Sequence, residues 1–328
     1  MITSRPRRRL GVVGTMVWDI IHGRDPRDVP VEEWGGIAYG LAACDAALAD
    51  DWELVPLIKV GEDLGHHARE WMRTLRRRAS DAAPISVPYP NNRVELRYID
   101  AERRSEVLRG GVPPWTWPAL APLVRDIDAL YVNFISGFEM DLATAQLVRQ
   151  HFRGPIYADL HSLLLGIDAS GRRTPQRMSN VDSWCRCFDF VQVNEEELGQ
   201  MAPDGFALAA MALSQGVRCL VVTLGSRGLV YFAGPGFDKL ADLHSAPARA
   251  PAGAIRTALM NAERVDPSDV GDPTGCGDVW GATYFSRLVS GDSLDAAMRA
   301  ATHAAARNVV HRGATSLAPF LRGELSHS

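Results

Sequence analysis

Lysine is nearly absent from this chain of 328 residues: Lys59 and Lys239 are the only two, and arginine makes up the rest of the 35 basic residues. That imbalance reads as codon bias before it reads as phosphate recognition. Against 39 acidic residues it leaves a net charge of -4, which excludes a general nucleic-acid or membrane-surface binder. The local basic runs at 5–9 and 76–78 read as solvated surface. Cysteine is scarce and scattered: Cys44, Cys185, Cys187, Cys219 and Cys276 form no CxxC pair and have no matching histidine spacing. A disulfide framework and a structural zinc are therefore excluded. No apolar run reaches membrane-spanning length, and the basic run at the start lacks a signal-peptide core, so the expectation is a soluble, cytoplasmic protein. Neither GxxxxGK[ST] nor a GxGxxG after the first strand occurs, which removes the P-loop and the dinucleotide fingerprint.

What the chain does have is a series of short runs rich in Val, Leu and Ile between helix-length amphipathic segments. They are LGVVG at 10–14, LVPLIKV at 54–60, ALYVNFI at 129–135, PIYADL at 155–160, FVQVN at 190–194 and CLVVTLG at 219–225. Continuous apolar runs suit strands buried on both faces, and their alternation with helices predicts a parallel sheet. The fold class is α/β with a doubly wound, mainly parallel sheet. Two excursions break the series. Residues 85–108 alternate apolar and polar around a turn-like DAERR, the pattern of a hairpin with one buried face. Residues 23–34 are expected to add a strand to it, giving a small β-strand lid over the site. With no internal repeat or low-complexity linker, residues 1–328 are expected to form one domain. The stretch 235–268 has no readable period, and two helices are expected at the end, the second from Leu294 to about His311.

The most chemically telling stretch is GDPTGCGD, residues 271–278, set directly before the helix-like VWGATYFSRL. A helix N-terminus leaves N–H groups unpaired and carries positive partial charge, so it accepts anions. Gly275 and Gly277 bare the backbone around small Cys276, and an oxyanion or phosphate would fit there. A carboxylate beside a phosphate is repulsive unless it receives a proton. Asp278 answers that conflict if it deprotonates a hydroxyl that attacks a phosphoryl group while the backbone neutralises the transferred charge. The plain alternative is that Asp278 merely complements the helix dipole.

At this point the chain resembles the ribokinase-like carbohydrate kinases of the phosphofructokinase-B family. The family's D-T-x-G-A-G-D signature stands here as Asp272-Pro273-Thr274-Gly275-Cys276-Gly277-Asp278, with proline and Cys276 as departures. The resemblance implies Asp278 as catalytic base and Gly275, Cys276 and Gly277 as the anion hole. VNEEEL looks like the family's N-x-x-E motif, implying that Asn194 and Glu197 organise Mg²⁺ through waters. VTLGSRGLVYF is similar to the strand-turn-strand at the nucleotide site, which puts Thr223, Gly225 and Gly228 along the triphosphate of ATP. THAAARNVVHRGAT resembles the segment beside the adenine, with His303 as a nucleotide contact, and Gly61, Asp63 and Gly65 resemble G-x-D-x-x-G with one residue fewer.

The acceptor end departs further. Asp19 matches the family's sugar-hydroxyl aspartate, and Gly35 and Gly36 match its glycine pair, but the asparagine of G-G-x-x-x-N is replaced by Gly40. A site built to pair a hydroxyl discriminates only while its partner group is present. The resemblance therefore implies ATP-dependent phosphorylation of a hydroxyl of a sugar or sugar-like compound. A nucleoside kinase is the alternative within the family, and a non-catalytic sensor of nucleotide or sugar the alternative outside it. Monovalent-cation activation stays open, as does a homodimer through the lid, whose apolar positions equally suit covering its own site. Arg93, Arg97, Arg103 and Arg104 in the lid read first as surface of an Arg-rich chain, with contact to a phosphorylated acceptor as the alternative.

Overall fold

A computed structural model describes residues 7–22, 29–98, 104–240, 253–266, 268, 271 and 273–325. Its main sheet has eight strands in the order Arg256–Met260, Leu229–Ala233, Cys219–Thr223, Phe190–Asn194, Ile156–Asp159, Ala129–Asn133, Arg8–Val13 and Trp52–Leu57. Six of them, from Cys219–Thr223 to Trp52–Leu57, run parallel; at the other edge Leu229–Ala233 runs against them, and Arg256–Met260 pairs antiparallel with it. Each apolar run named above supplies one of the six parallel strands.

Alternate residues of these strands feed two cores. Tyr131, Tyr157, Phe190 and Val221 face one side, where they pack with residues of the helices Ile37–Ala47, Cys276–Val289 and Leu294–Val309. Leu130, Val132, Ile156, Ala158, Val191 and Val222 face the other, against the helices Leu142–His151 and Gly205–Ser214. This is the doubly wound layer, with a period of two carrying apolar residues to both faces. Helix Leu294–Val309 ends two residues before the expected His311, and a short helix, Leu317–Leu321, follows it that the sequence pattern did not reveal.

A second sheet of four strands forms the lid, in the order Val31–Gly36, Met16–His22, Arg93–Tyr98, Arg104–Arg109. The described part of the excursion at 23–34 does add a strand, Val31–Gly36, while the paired strands of the other excursion are Arg93–Tyr98 and Arg104–Arg109. Ile85–Val87 pairs instead with Lys59–Gly61, away from the lid. The tip of DAERR, Arg103 included, residues 23–28 and Asp272 lie outside the described residues. Val94, Leu96 and Leu108 join the core beneath the lid, as the alternation required. Arg93 is bound to Asp63 at 2.8 Å, and Arg97 is paired with Glu95. Asp63 also accepts from Asn91 N at 2.8 Å, and Gly61 N donates to Asn91 Oδ1 at 3.0 Å. The G-x-D-x-x-G segment thus fastens the base of the lid.

Candidate active site

Four of the parallel strands close on polar residues at one edge of the main sheet: Asn133, Asp159, Asn194 and Thr223. Their register sets Asn133 beside Asp159, Asp159 beside Gln192, and Asn194 beside Thr223. In open α/β sheets the carboxyl ends of the strands form the ligand crevice, and here the helix Cys276–Val289 begins over that edge.

Gly275 makes this helix start possible. Its φ is 76°, and a Cβ there would come within 2.4 Å of the Tyr39 ring, so no other residue fits without displacing the ring. Cys276 N donates to Pro273 O at 3.1 Å, while the amides of Gly275 and exposed Gly277 have no backbone acceptor among the described residues. Asn308 Nδ2 braces the turn by donating to Thr274 O at 2.9 Å.

Asp278 sits in the first helical turn. Asn133 Nδ2 donates to its Oδ1 at 2.6 Å, a short charge-assisted bond that ties it to a strand end. The adjacent strands tie the same turn: Gln192 Nε2 donates to Gly277 O at 3.1 Å and to Asp159 Oδ2 at 2.9 Å, while Tyr157 OH donates to Gln192 Oε1 at 2.7 Å. Burial, followed by the charges of Glu197 and Asp278, raises the Asp159 carboxyl well above the usual carboxylate range.

Asn194 and Glu197 form a reciprocal capping box at the start of Glu195–Met201. Asn194 Oδ1 accepts from Glu197 N at 2.9 Å, and Glu197 Oε2 accepts from Asn194 N at 2.7 Å. Glu197 Oε1 also accepts from Asn194 Nδ2 at 2.6 Å and lies 2.5 Å from His161 Nδ1. Burial works against charge on His161, but Glu197, Asp159 and Asp278 outweigh it and hold the imidazole pKa up at about 9. Among the described residues no cluster of three or more His, Cys, Asp or Glu forms a metal cage. The donor set here fits only a cation held largely by water and phosphate oxygens, not a protein cage.

Thr223 ends its strand with Oγ1 3.5 Å from Val193 O, and Gly225 opens the short turn that leads to Gly228. His303 lies on the exposed side of Leu294–Val309, where Nδ1 is 2.9 Å from Glu263 Oε2.

At the acceptor end, Asp19 belongs to the lid strand Met16–His22 and is 5% exposed. A Cβ on Gly35 would stand 1.7 Å from Asp19 Oδ2, so the carboxylate rests directly on bare backbone, with Gly36 next to it at the entry of helix Ile37–Ala47. Gly40 is different. A Cβ there would meet Ile37 at 3.4 Å and the Tyr131 ring at 3.5 Å, which is ordinary contact.

Sequence reasoning missed Asn133, Asp159, His161 and Gln192. A signal existed, since apolar runs such as ALYVN and IYAD each end on one polar residue, and in a parallel sheet such endings gather at one edge.

Residues 167–321 match the sequence profile of the pfkB family carbohydrate kinases. No curated protein matches the chain. Among solved structures, the ribokinase of Thermotoga maritima superposes with a TM-score of 0.69 at 17% identity, over 96% of this chain and 98% of that one. The nucleoside kinase of Burkholderia thailandensis, solved with inosine, gives 0.67 at 18% identity over 96% and 95%. The Arabidopsis thaliana ribokinase, solved with ribose and ATP, gives 0.65 at 18% identity over 96% and 99%. The fold is ribokinase-like, and the resemblance read from the motifs is borne out.

Proposed function

We propose that the protein is a phosphotransferase that moves the γ-phosphoryl group of ATP to a hydroxyl of a sugar or nucleoside, with Asp278 as general base. One observation carries this reading: a carboxylate in the first turn of a helix whose glycine start is open to an anion, held through one oxygen by Asn133 at 2.6 Å. On this reading the Asp278 carboxylate receives the proton of the attacking hydroxyl. The exposed Gly277 amide, with the positive end of the helix, offsets charge gathering on the transferred group. Asp19, fixed against Gly35, would orient the acceptor by a hydrogen bond, and the lid sheet would exclude water once it is bound. Thr223, Gly225 and Gly228 would follow the donor's phosphates, and His303 the base. Magnesium, when bound, supplies charge neutralisation on those phosphates, and Asn194 and Glu197 would hold it through its water shell.

The test is ADP release from ATP and Mg²⁺ by the purified protein against pentoses, hexoses, their phosphates and nucleosides. Turnover on one class is expected. Saturable ATP binding with no turnover on any of them would instead support a sensor.

A further inference from the structure

We propose that Asn133 positions Asp278 through its amide nitrogen and receives an acceptor hydroxyl on its amide oxygen, supplying the amide that Gly40 does not; this rests on Asp278 being the general base. Asn133 ends the strand Ala129–Asn133 and is 0% exposed. Its Nδ2 donates to Asp278 Oδ1 at 2.6 Å, whereas its Oδ1 is buried with no partner among the described residues. Leaving a buried acceptor unpaired is destabilising, so an orphan of this kind calls for a donor. A carbonyl oxygen accepts and never donates, which selects a hydroxyl or amine over an anion.

The place is right for such a group. Tyr131 lies two residues earlier on the same strand face, with its OH 3.4 Å from Asn133 Nδ2. The same ring lies 3.5 Å from where a Gly40 side chain would begin. Gly40 and Asn133 therefore adjoin one aromatic ring, and Asn133 brings an amide to the neighbourhood where Gly40 has none. The titratable groups whose charge couples to Asp278 are Asp159, His161, Tyr131 and Tyr157, and Asn133 is the neutral donor among them.

The experiment labels aspartate carboxyl carbons with ¹³C and reads their titration, taking as Asp278 the resonance that Asp278→Asn removes. Asn133→Leu, of similar shape but with no donor, is expected to raise the Asp278 midpoint by about one pH unit or more. Asn133→Asp adds a like charge and is expected to raise it further, and if the leucine variant does not fold this one carries the test. On an acceptor found by the panel, kcat is expected to fall about 10²-fold in either variant while the KM for ATP stays within about twofold. Unchanged midpoints overturn the positioning role. Full turnover in the Asn133 variants beside a dead Asp278→Asn protein overturns the proposal and leaves the general base standing. Full turnover by Asp278→Asn itself removes the general base, while the titration still reports on the Asn133 contact.

Discussion

The sheet edge between Asn194 and Gly228 and the wall between Asp19 and Gly40 are built on opposite plans. At the first, polar groups are spent on one another: Asn194 and Glu197 cap a helix reciprocally, and His161 fills the remaining side of the carboxylate. At the second, one helix position has no side chain, and the buried Asn133 amide oxygen has no partner among the described residues. A self-satisfied edge suits a constant group such as a polyphosphate. An edge with an unsatisfied buried oxygen has a group left for a ligand to meet, and that is where acceptors of one fold can differ.

The sharpest way to break this comparison is at Asp278, which the proposed reaction sets between both ends. Asp278→Asn should lower kcat by about 10² to 10⁴ while leaving ATP binding within a few fold, measured by ADP release and by calorimetry. The amide keeps the shape and removes the base. Equal loss of ATP affinity and turnover would move Asp278 into the donor site.

Gly35→Ala comes next. The added carbon would stand 1.7 Å from Asp19 Oδ2, and both residues are buried in the lid sheet, so the carboxylate must turn away or the strands must part. Overpacking of this kind costs about 1–3 kcal/mol. Expected is at least a tenfold rise in the acceptor's KM with the ATP KM unmoved, read from steady-state kinetics. An equal rise in both would mean that Asp19 and the lid strand do not belong to the acceptor end alone.

The same contrast governs what could be read without coordinates. The parallel strands were legible because two-sided burial leaves a continuous apolar run, and GDPTGCGD because bare backbone beside a carboxylate at a helix start has few purposes. The lid hairpin showed in its period of two. Asn133 and Asp159 left one trace, as polar ends of apolar runs, and Gln192 lies inside such a run; which of them meet is set only by the register Asn133 to Asp159 to Gln192. His161 follows no periodic pattern, since it opens a short turn, His161–Leu164, after a strand end. The Asp63 motif was legible as a motif but not as to its work, which is a set of hydrogen bonds to Asn91 and Arg93 that depends on the lid folding back.

The smallest effect expected is at Gly40, and it separates the two walls most finely. The residue lies inside the helix Ile37–Ala47 with ordinary room for a methyl group: 3.4 Å to Ile37 and 3.5 Å to the Tyr131 ring. Glycine in a helix interior costs roughly 0.5–1 kcal/mol relative to alanine because of the backbone freedom lost on folding. Gly40→Ala should therefore stabilise the protein by about that amount, seen as a higher urea midpoint with an unchanged slope. The methyl group also fills part of the space facing Tyr131, so a bulky acceptor should lose affinity several-fold while a small one does not. A stabilised protein whose acceptor preference is unaltered would show that the room at Gly40 serves helix packing, and would shift recognition of the acceptor to Asp19 and Asn133.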